Sequence, residues 1–259
     1  MTATTLSIPD GMLACRQWYA GPHGQNTLER VQTIVAHLTT DIFGYYALEM
    51  GALAGKHRLL QDSRIASQFT VGAVLGEANH LLAMPEQLPI AFNNVDLVIA
   101  SHVLDCTKHP HQVLREIERV LVPEGHCILI GFNPFSWCGL RQRLPWRNKP
   151  ATPYHSYSTF RVRDWLSVLG FEVLTTVSAH RLPNNKPGNL VIGQSWGRWR
   201  EQTHLTLGSV YIIHAQKKVS NMTPLLSSRK SINVLRPKII VNSGAGRVTE
   251  QERQHADCE

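Results

Sequence analysis

The sequence predicts an α/β fold built on a mostly parallel, doubly wound sheet. Three observations carry that expectation. Between Leu88 and Asn133, two short apolar runs flank one amphipathic helix, the pattern of a βαβ unit. A Gly51-to-Gly55 turn follows an earlier apolar run at Tyr45 to Met50. The final apolar run, Val210 to Ala215, comes without a crossover-length helix before it, which suits an antiparallel last strand.

The elements follow in order. Residues 1–23 read as irregular, with Trp18 and Tyr19 as anchors. From Gly24 to about Thr40, Leu28, Val31, Ile34, Val35 and Leu38 recur at helical spacing, and Gly44 breaks the pattern. Residues 56–69 fit either a helix or irregular chain. Phe69 to Leu75 reads as a strand and His80 to Met84 as a shorter one. Val95 to Ala100 is a strand covered on both faces, and Ser101 to Asp105 leaves it as a loop. Pro110 opens a helix with Val113, Leu114, Ile117, Val120 and Leu121 on its apolar face, stopped by Pro123 and Gly125. Cys127 to Phe132 is the next strand. A long connection to Thr159 precedes a helix ended by Gly170, then a strand from Phe171 to Ser178. A second irregular excursion covers 181–206. Three regions result: an N-terminal arm and helix over 1–44, the α/β domain over 45–218, and a polar tail over 219–259 that reads as disordered.

No apolar run reaches the roughly 18 residues of a membrane span. The first ten residues lack the basic and apolar regions of a secretory signal. Five cysteines, scattered and odd in number, suit a reducing cytoplasm. The charge is lopsided: residues 1–124 hold 8 Lys/Arg and 12 Asp/Glu, whereas 125–249 hold 17 Lys/Arg and 3 Asp/Glu. Such a bias is either a solvated basic surface or a site for an anionic partner, nucleic acid included. Trp137, Trp146, Tyr154, Tyr157, Trp196 and Trp199 lie among those cations and suit base stacking or a lid.

Leu88-Pro89-Ile90, Ser101-His102-Val103-Leu104, Leu114-Arg115-Glu116-Ile117 and Arg119-Val120-Leu121 with Pro123 and Gly125 form one run of motifs. This run resembles the second half of a class I S-adenosylmethionine-dependent methyltransferase of the type 11 branch, with Glu124 in place of one glycine. The resemblance implies a Rossmann-like fold, seven strands in order 3-2-1-4-5-7-6, and S-adenosylmethionine as cofactor. It also implies that Glu49, Gly51, Ala52 and Gly55 form the first cofactor loop, with Leu53 replacing the central glycine. Met84 and Pro85 fall at the adenine position, where Met84 stands for an Asp. A lost charged hydrogen bond there is worth roughly 1.5–3 kcal/mol. The family's acidic residue at the end of the second strand is absent, and Glu77 is the nearest carboxylate. Ser101 and His102 fall beside the methionine part and the transferable methyl, at the strand ends where open α/β sheets bind ligands.

On the substrate side stand Asp105, Asn133, Arg141 and Arg143. Asp105 either orders the loop or accepts a proton. Asn133 and the two arginines begin a basic loop suited to an anionic methyl acceptor. No general base is identified. Cys106, His109 and His111 have metal-ligand chemistry, but loop crowding explains them and no metal is expected. Three functions therefore compete: a methyltransferase with an unidentified acceptor, a methyltransferase fold with an eroded cofactor site acting as a scaffold, and a nucleic-acid-binding module.

Overall fold

A computed structural model describes residues 10–72, 79–136, 155–179 and 208–218. The chain divides into two compact units, Met1–Ser220 and Asn221–Glu259, and every described residue lies in the first. The expected tail, most of the basic loop and the second excursion lie outside the described residues.

The elements are α1 (Asp10–Ala20), α2 (Pro22–Thr39), β1 (Tyr46–Gly51), β2 (Ser67–Gly72), β3 (Leu81–Leu82), β4 (Val95–Ser101), α3 (Val103–Cys106), α4 (Pro110–Val120), β5 (Leu121–Phe132), α5 (Thr159–Val168), β6 (Phe171–Ala179) and β7 (Val210–Lys217). They build one seven-stranded sheet in the order β3-β2-β1-β4-β5-β7-β6. Strands β1 to β5 run parallel, and β7 is antiparallel to both of its neighbours. This is the order and polarity that the family resemblance implies.

Period-two alternation splits the core into two layers. Ala47, Leu97, Ile99, Ile128, Ile130 and Ile212 face one side, against Val31, Ile34, Val35 and Leu38 of α2 and Met12, Cys15 and Tyr19 of α1. Leu48, Met50, Val98, Ala100, Leu129 and Ile213 face the other, against Val113, Leu114, Ile117 and Val120 of α4 and Val162 and Leu166 of α5.

Three expectations change. Leu121, Pro123 and Gly125, read as the end of α4, lie in β5, which begins six residues before Cys127. The stretch 1–23, read as irregular, contains α1. Its buried apolar side chains, Met12, Cys15 and Tyr19, sit at i, i+3 and i+7, a stripe too short to register beside the polar residues around it. Gly21, the N-cap of α2, separates the two helices, and Pro22 opens α2. Loop 101–105 contains the single helical turn α3, which is too short for periodicity to reveal. The ambiguous stretch after Gly55 passes to β2 in turns, with no helix from 52 to 66. Helix α2, which precedes β1 in the chain, covers the sheet face that a crossover helix there would take.

The wall between β3 and β4 is clamped from α4. Arg119 donates to the Leu88 and Ile90 carbonyls, each at 2.9 Å, and to Glu116. The Glu116 carboxylate accepts the Leu88 N–H at 3.2 Å. The Arg119 guanidinium holds Glu116 below the ordinary carboxylate range. Lys217 of β7 donates to the Glu118 and Leu121 carbonyls, where α4 gives way to β5.

Candidate active site

The carboxyl ends of β1 to β4 open onto a cleft. Gly51, Gly72, Met84, Pro85 and Val103 line it, and Met12 comes from α1. Its walls are mostly apolar, as those of small-molecule sites are.

The first-strand turn is built by close approach to β4. Gly51 has φ +107°, and a Cβ there would lie 2.0 Å from the Ser101 carbonyl oxygen. The Ala52 N–H donates to that carbonyl at 2.8 Å. The Ser101 hydroxyl donates to the Met50 carbonyl and accepts the Leu53 N–H at 3.0 Å. The Ala52 carbonyl in turn accepts from Arg16 of α1 at 2.9 Å. Leu53, at the family's central glycine position, is buried in the cluster that holds Met12, Cys15 and Tyr19. Gly55 is half-buried with φ +74°.

Glu49 points into the same layer. Burial pushes its carboxyl up to about 8, against one hydrogen bond from the Leu59 backbone. Its Oε1 is buried with no hydrogen-bond partner. Met84 and Pro85 form the cleft's far wall, and Glu86 beside them carries the one carboxylate among its lining residues. The Thr107 hydroxyl holds that carboxylate. Glu86 lies two residues past the position where an acid is expected, so alignment on Leu88-Pro89 passes over it.

His102 and Asp105 follow Ser101, and all three are fully buried. His102 Nδ1 lies 2.8 Å from Asp105 Oδ2, which also accepts the Phe132 N–H at 2.9 Å. On its other side, His102 Nε2 lies 2.7 Å from the Tyr19 hydroxyl. Asn133 sits just beyond β5, where its side chain bonds the Gly208 carbonyl and the Phe135 N–H. Arg141 and Arg143 lie outside the described residues. The structure thus gathers Gly51, Met84 and Pro85 in one cleft and joins Ser101 to the glycine turn. Sequence reasoning missed Met12, Tyr19, Glu86 and Thr107. The i, i+3, i+7 spacing of Met12, Cys15 and Tyr19 was the available signal for the first two. Among the described residues, no group of three His, Cys, Asp or Glu is placed to hold a metal, and no helix is long and apolar enough to cross a membrane.

The residues present fit S-adenosylmethionine. The apolar faces of Met84 and Pro85 suit an adenine ring, Glu86 offers an acceptor beside them, and Glu49 keeps a buried oxygen without a partner.

A family model described as a methyltransferase domain matches residues 61–129. Uncharacterized protein YafS of Escherichia coli (strain K12) is 31% identical over 243 residues, spanning 93% of this chain and 95% of that protein. A SAM-dependent methyltransferase from Thermotoga maritima shares the fold with a TM-score of 0.52 at 15% identity, over 80% of this chain and 99% of that one. A Haloferax volcanii protein solved in complex with the Trm112 methyltransferase activator gives 0.56 at 14% identity, over 82% and 98%. With the strand order, the cleft and these likenesses together, the chain belongs to the class I S-adenosylmethionine-dependent methyltransferases, in one family with YafS, and S-adenosylmethionine is its cofactor.

Proposed function

We propose that this enzyme methylates a small acceptor that carries an anionic group. The observation that carries the reading is the complete burial of Ser101, His102 and Asp105 at the carboxyl end of β4. A centre so enclosed suits a molecule it can engulf better than a base within a duplex. The anionic preference rests on the 17 Lys/Arg against 3 Asp/Glu over 125–249. Arg141 and Arg143 are our candidates for the anionic end. The free thiols Cys15, Cys106 and Cys127 suit a reaction in the cytoplasm.

When bound, the cofactor supplies a methyl group on a sulfonium, ready for in-line displacement. The chain's own contribution is position and dryness. Ser101 fixes the glycine turn against β4. Met84, Pro85 and Glu86 form one wall of the cleft, and the Glu116–Arg119 pair holds the segment behind it. Helix α1 closes the other end with Met12.

The test uses isotope-labelled S-adenosylmethionine. The enzyme is incubated with a cellular small-molecule extract, and separately with total RNA and genomic DNA. Label in the small-molecule fraction retained by an anion exchanger supports the proposal. Label only in RNA or DNA, suppressed steeply by salt, would replace it with a nucleic-acid acceptor. Replacing Arg141 and Arg143 together by Glu is expected to leave S-adenosylhomocysteine affinity within about twofold and to lower transfer at least ~tenfold.

A further inference from the structure

We infer that His102 is the base that accepts the acceptor's proton, and that the acceptor is an aromatic hydroxyl compound whose place the Tyr19 side chain occupies in the resting enzyme. This deepens the methyltransferase reading and rests on it.

The argument begins with proton bookkeeping along one chain of contacts. Asp105 Oδ2 accepts the Phe132 N–H at 2.9 Å, so it is an acceptor there. It lies 2.8 Å from His102 Nδ1, which therefore donates. That leaves Nε2 as the acceptor, and the Tyr19 hydroxyl donates to it at 2.7 Å. Burial and the Asp105 charge raise the Tyr19 phenol well above its ordinary value, which keeps it a donor. Nε2 thus presents a lone pair to a phenolic O–H, the arrangement a general base needs toward its substrate.

The surroundings are shaped for a flat ring. Phe132 stacks on the Tyr19 ring with centroids 6.4 Å apart and 27° between planes. Its centroid lies 4.1 Å from that of His102. Trp18 stands edge-on to Tyr19 at 4.8 Å and to Phe132 at 5.2 Å. Only Tyr19 and Trp18 in this group come from α1. The remainder, His102, Asp105 and Phe132, belongs to the carboxyl ends of β4 and β5.

A packing role alone explains this poorly. His102 has φ +55°, a left-handed backbone that a non-glycine residue adopts at a cost. Asp105 Oδ1 is buried without a partner. Strain and an unpaired carboxylate oxygen together, at the strand end where open sheets bind ligands, mark a site kept for chemistry.

In the reaction, the acceptor's hydroxyl takes the position of the Tyr19 hydroxyl. Its oxygen bonds the methyl carbon as the carbon–sulfur bond breaks onto sulfur. Its proton passes to Nε2, and the resulting imidazolium faces the Asp105 carboxylate. His102 is the catalytic residue, and Asp105 is a positioning residue.

The test restores the excised ring. Tyr19→Ala should open a cavity that phenol, the lost ring and hydroxyl, can fill. With labelled S-adenosylmethionine, this variant should form the methyl ether of phenol, and adding His102→Asn should lower that rate ~100-fold or more. Isotope-labelled histidine gives a second, activity-independent readout by NMR. The unsubstituted enzyme should show His102 with its proton on Nδ1, and Asp105→Asn should shift it to Nε2. A proton on Nε2 in the unsubstituted enzyme overturns the proposal even if Tyr19→Ala does not fold. Calorimetry with S-adenosylhomocysteine separates the two readings. Binding without ether formation in folded Tyr19→Ala overturns the aromatic acceptor alone, whereas absence of binding to the unsubstituted enzyme overturns the methyltransferase reading and this one with it.

Discussion

Gly51 and Glu124 illustrate how differently single residues meet a backbone demand. Gly51 combines φ +107° with a Ser101 carbonyl oxygen 2.0 Å from where a Cβ would be. Because that neighbour is backbone in a central strand, it cannot rotate away. Gly51→Ala is therefore expected to cost at least ~2 kcal/mol of stability, read as a lowered denaturant midpoint with unchanged slope. Loss of cofactor binding in that variant would follow from a broken β1–β4 contact as much as from a blocked ligand. Glu124 stands where the family carries glycine and takes φ +61° regardless. It lies exposed in β5, at the register irregularity between Leu121 and His126, and its carboxylate reaches Lys218 at 2.8 Å, so the strain stays local. Sequence reading found both positions. Only coordinates separate the glycine that cannot change from the one that has.

At the scale of elements, the motif run from Leu88 to Leu121 acquires a mechanical meaning. The paired Glu116 and Arg119 of α4 clamp the Leu88-Pro89-Ile90 turn by its N–H and two carbonyls. That turn leads directly from the cleft wall into β4. Arg119→Ala should cost about 1–3 kcal/mol, since hydrogen bonds from a charged donor are lost from a half-exposed side chain. It should also speed limited proteolysis between 85 and 94 while leaving the rest of the domain resistant. Unchanged cleavage there would mean the wall is held by packing alone. The elements themselves were largely legible, because α2 and α4 carry long 3.6-residue stripes and β4 and β5 are apolar on both faces. Helix α1 and the turn α3 were not, because three buried apolar side chains or four residues give too little periodicity. These two elements supply Met12, Tyr19, Cys106 and the fold around His102, so the part of the site hidden in the sequence is the part made by its least periodic segments.

Across the whole molecule, two buried groups set opposing pH dependences. The Glu49 carboxyl is raised to about 8 in the folded chain, so the fold holds the neutral acid. Its contribution is fully present below the ordinary carboxylate range and is lost as pH rises through 8. His214, beside His126 at 3.0 Å, is lowered to about 4 by burial first and by its neighbour second. Its contribution is present above the ordinary histidine value of 6.5 and is lost as pH falls toward 4. Without cofactor, Glu49→Gln should therefore melt higher than the unsubstituted chain at pH near 8, with the difference shrinking toward pH 5. Equal melting curves at every pH would show that Glu49 ionises freely in the fold.

The sequence by itself determined the α/β class, the motif run and hence the family, because apolar periodicity and turn residues are local properties of the chain. Through the family resemblance it also marked Gly51, Met84, Pro85, Ser101, His102 and Asp105 for the cofactor and substrate sides. Tertiary structure alone decided what those residues touch. Ser101 spends its hydroxyl on the glycine turn, Glu86 stands beside Met84 and Pro85 in the cleft wall, and Tyr19, 83 residues before His102, completes a chain of hydrogen bonds with Asp105. Contacts at such separation depend on which helix lands on which sheet face, and nothing local in the sequence encodes that.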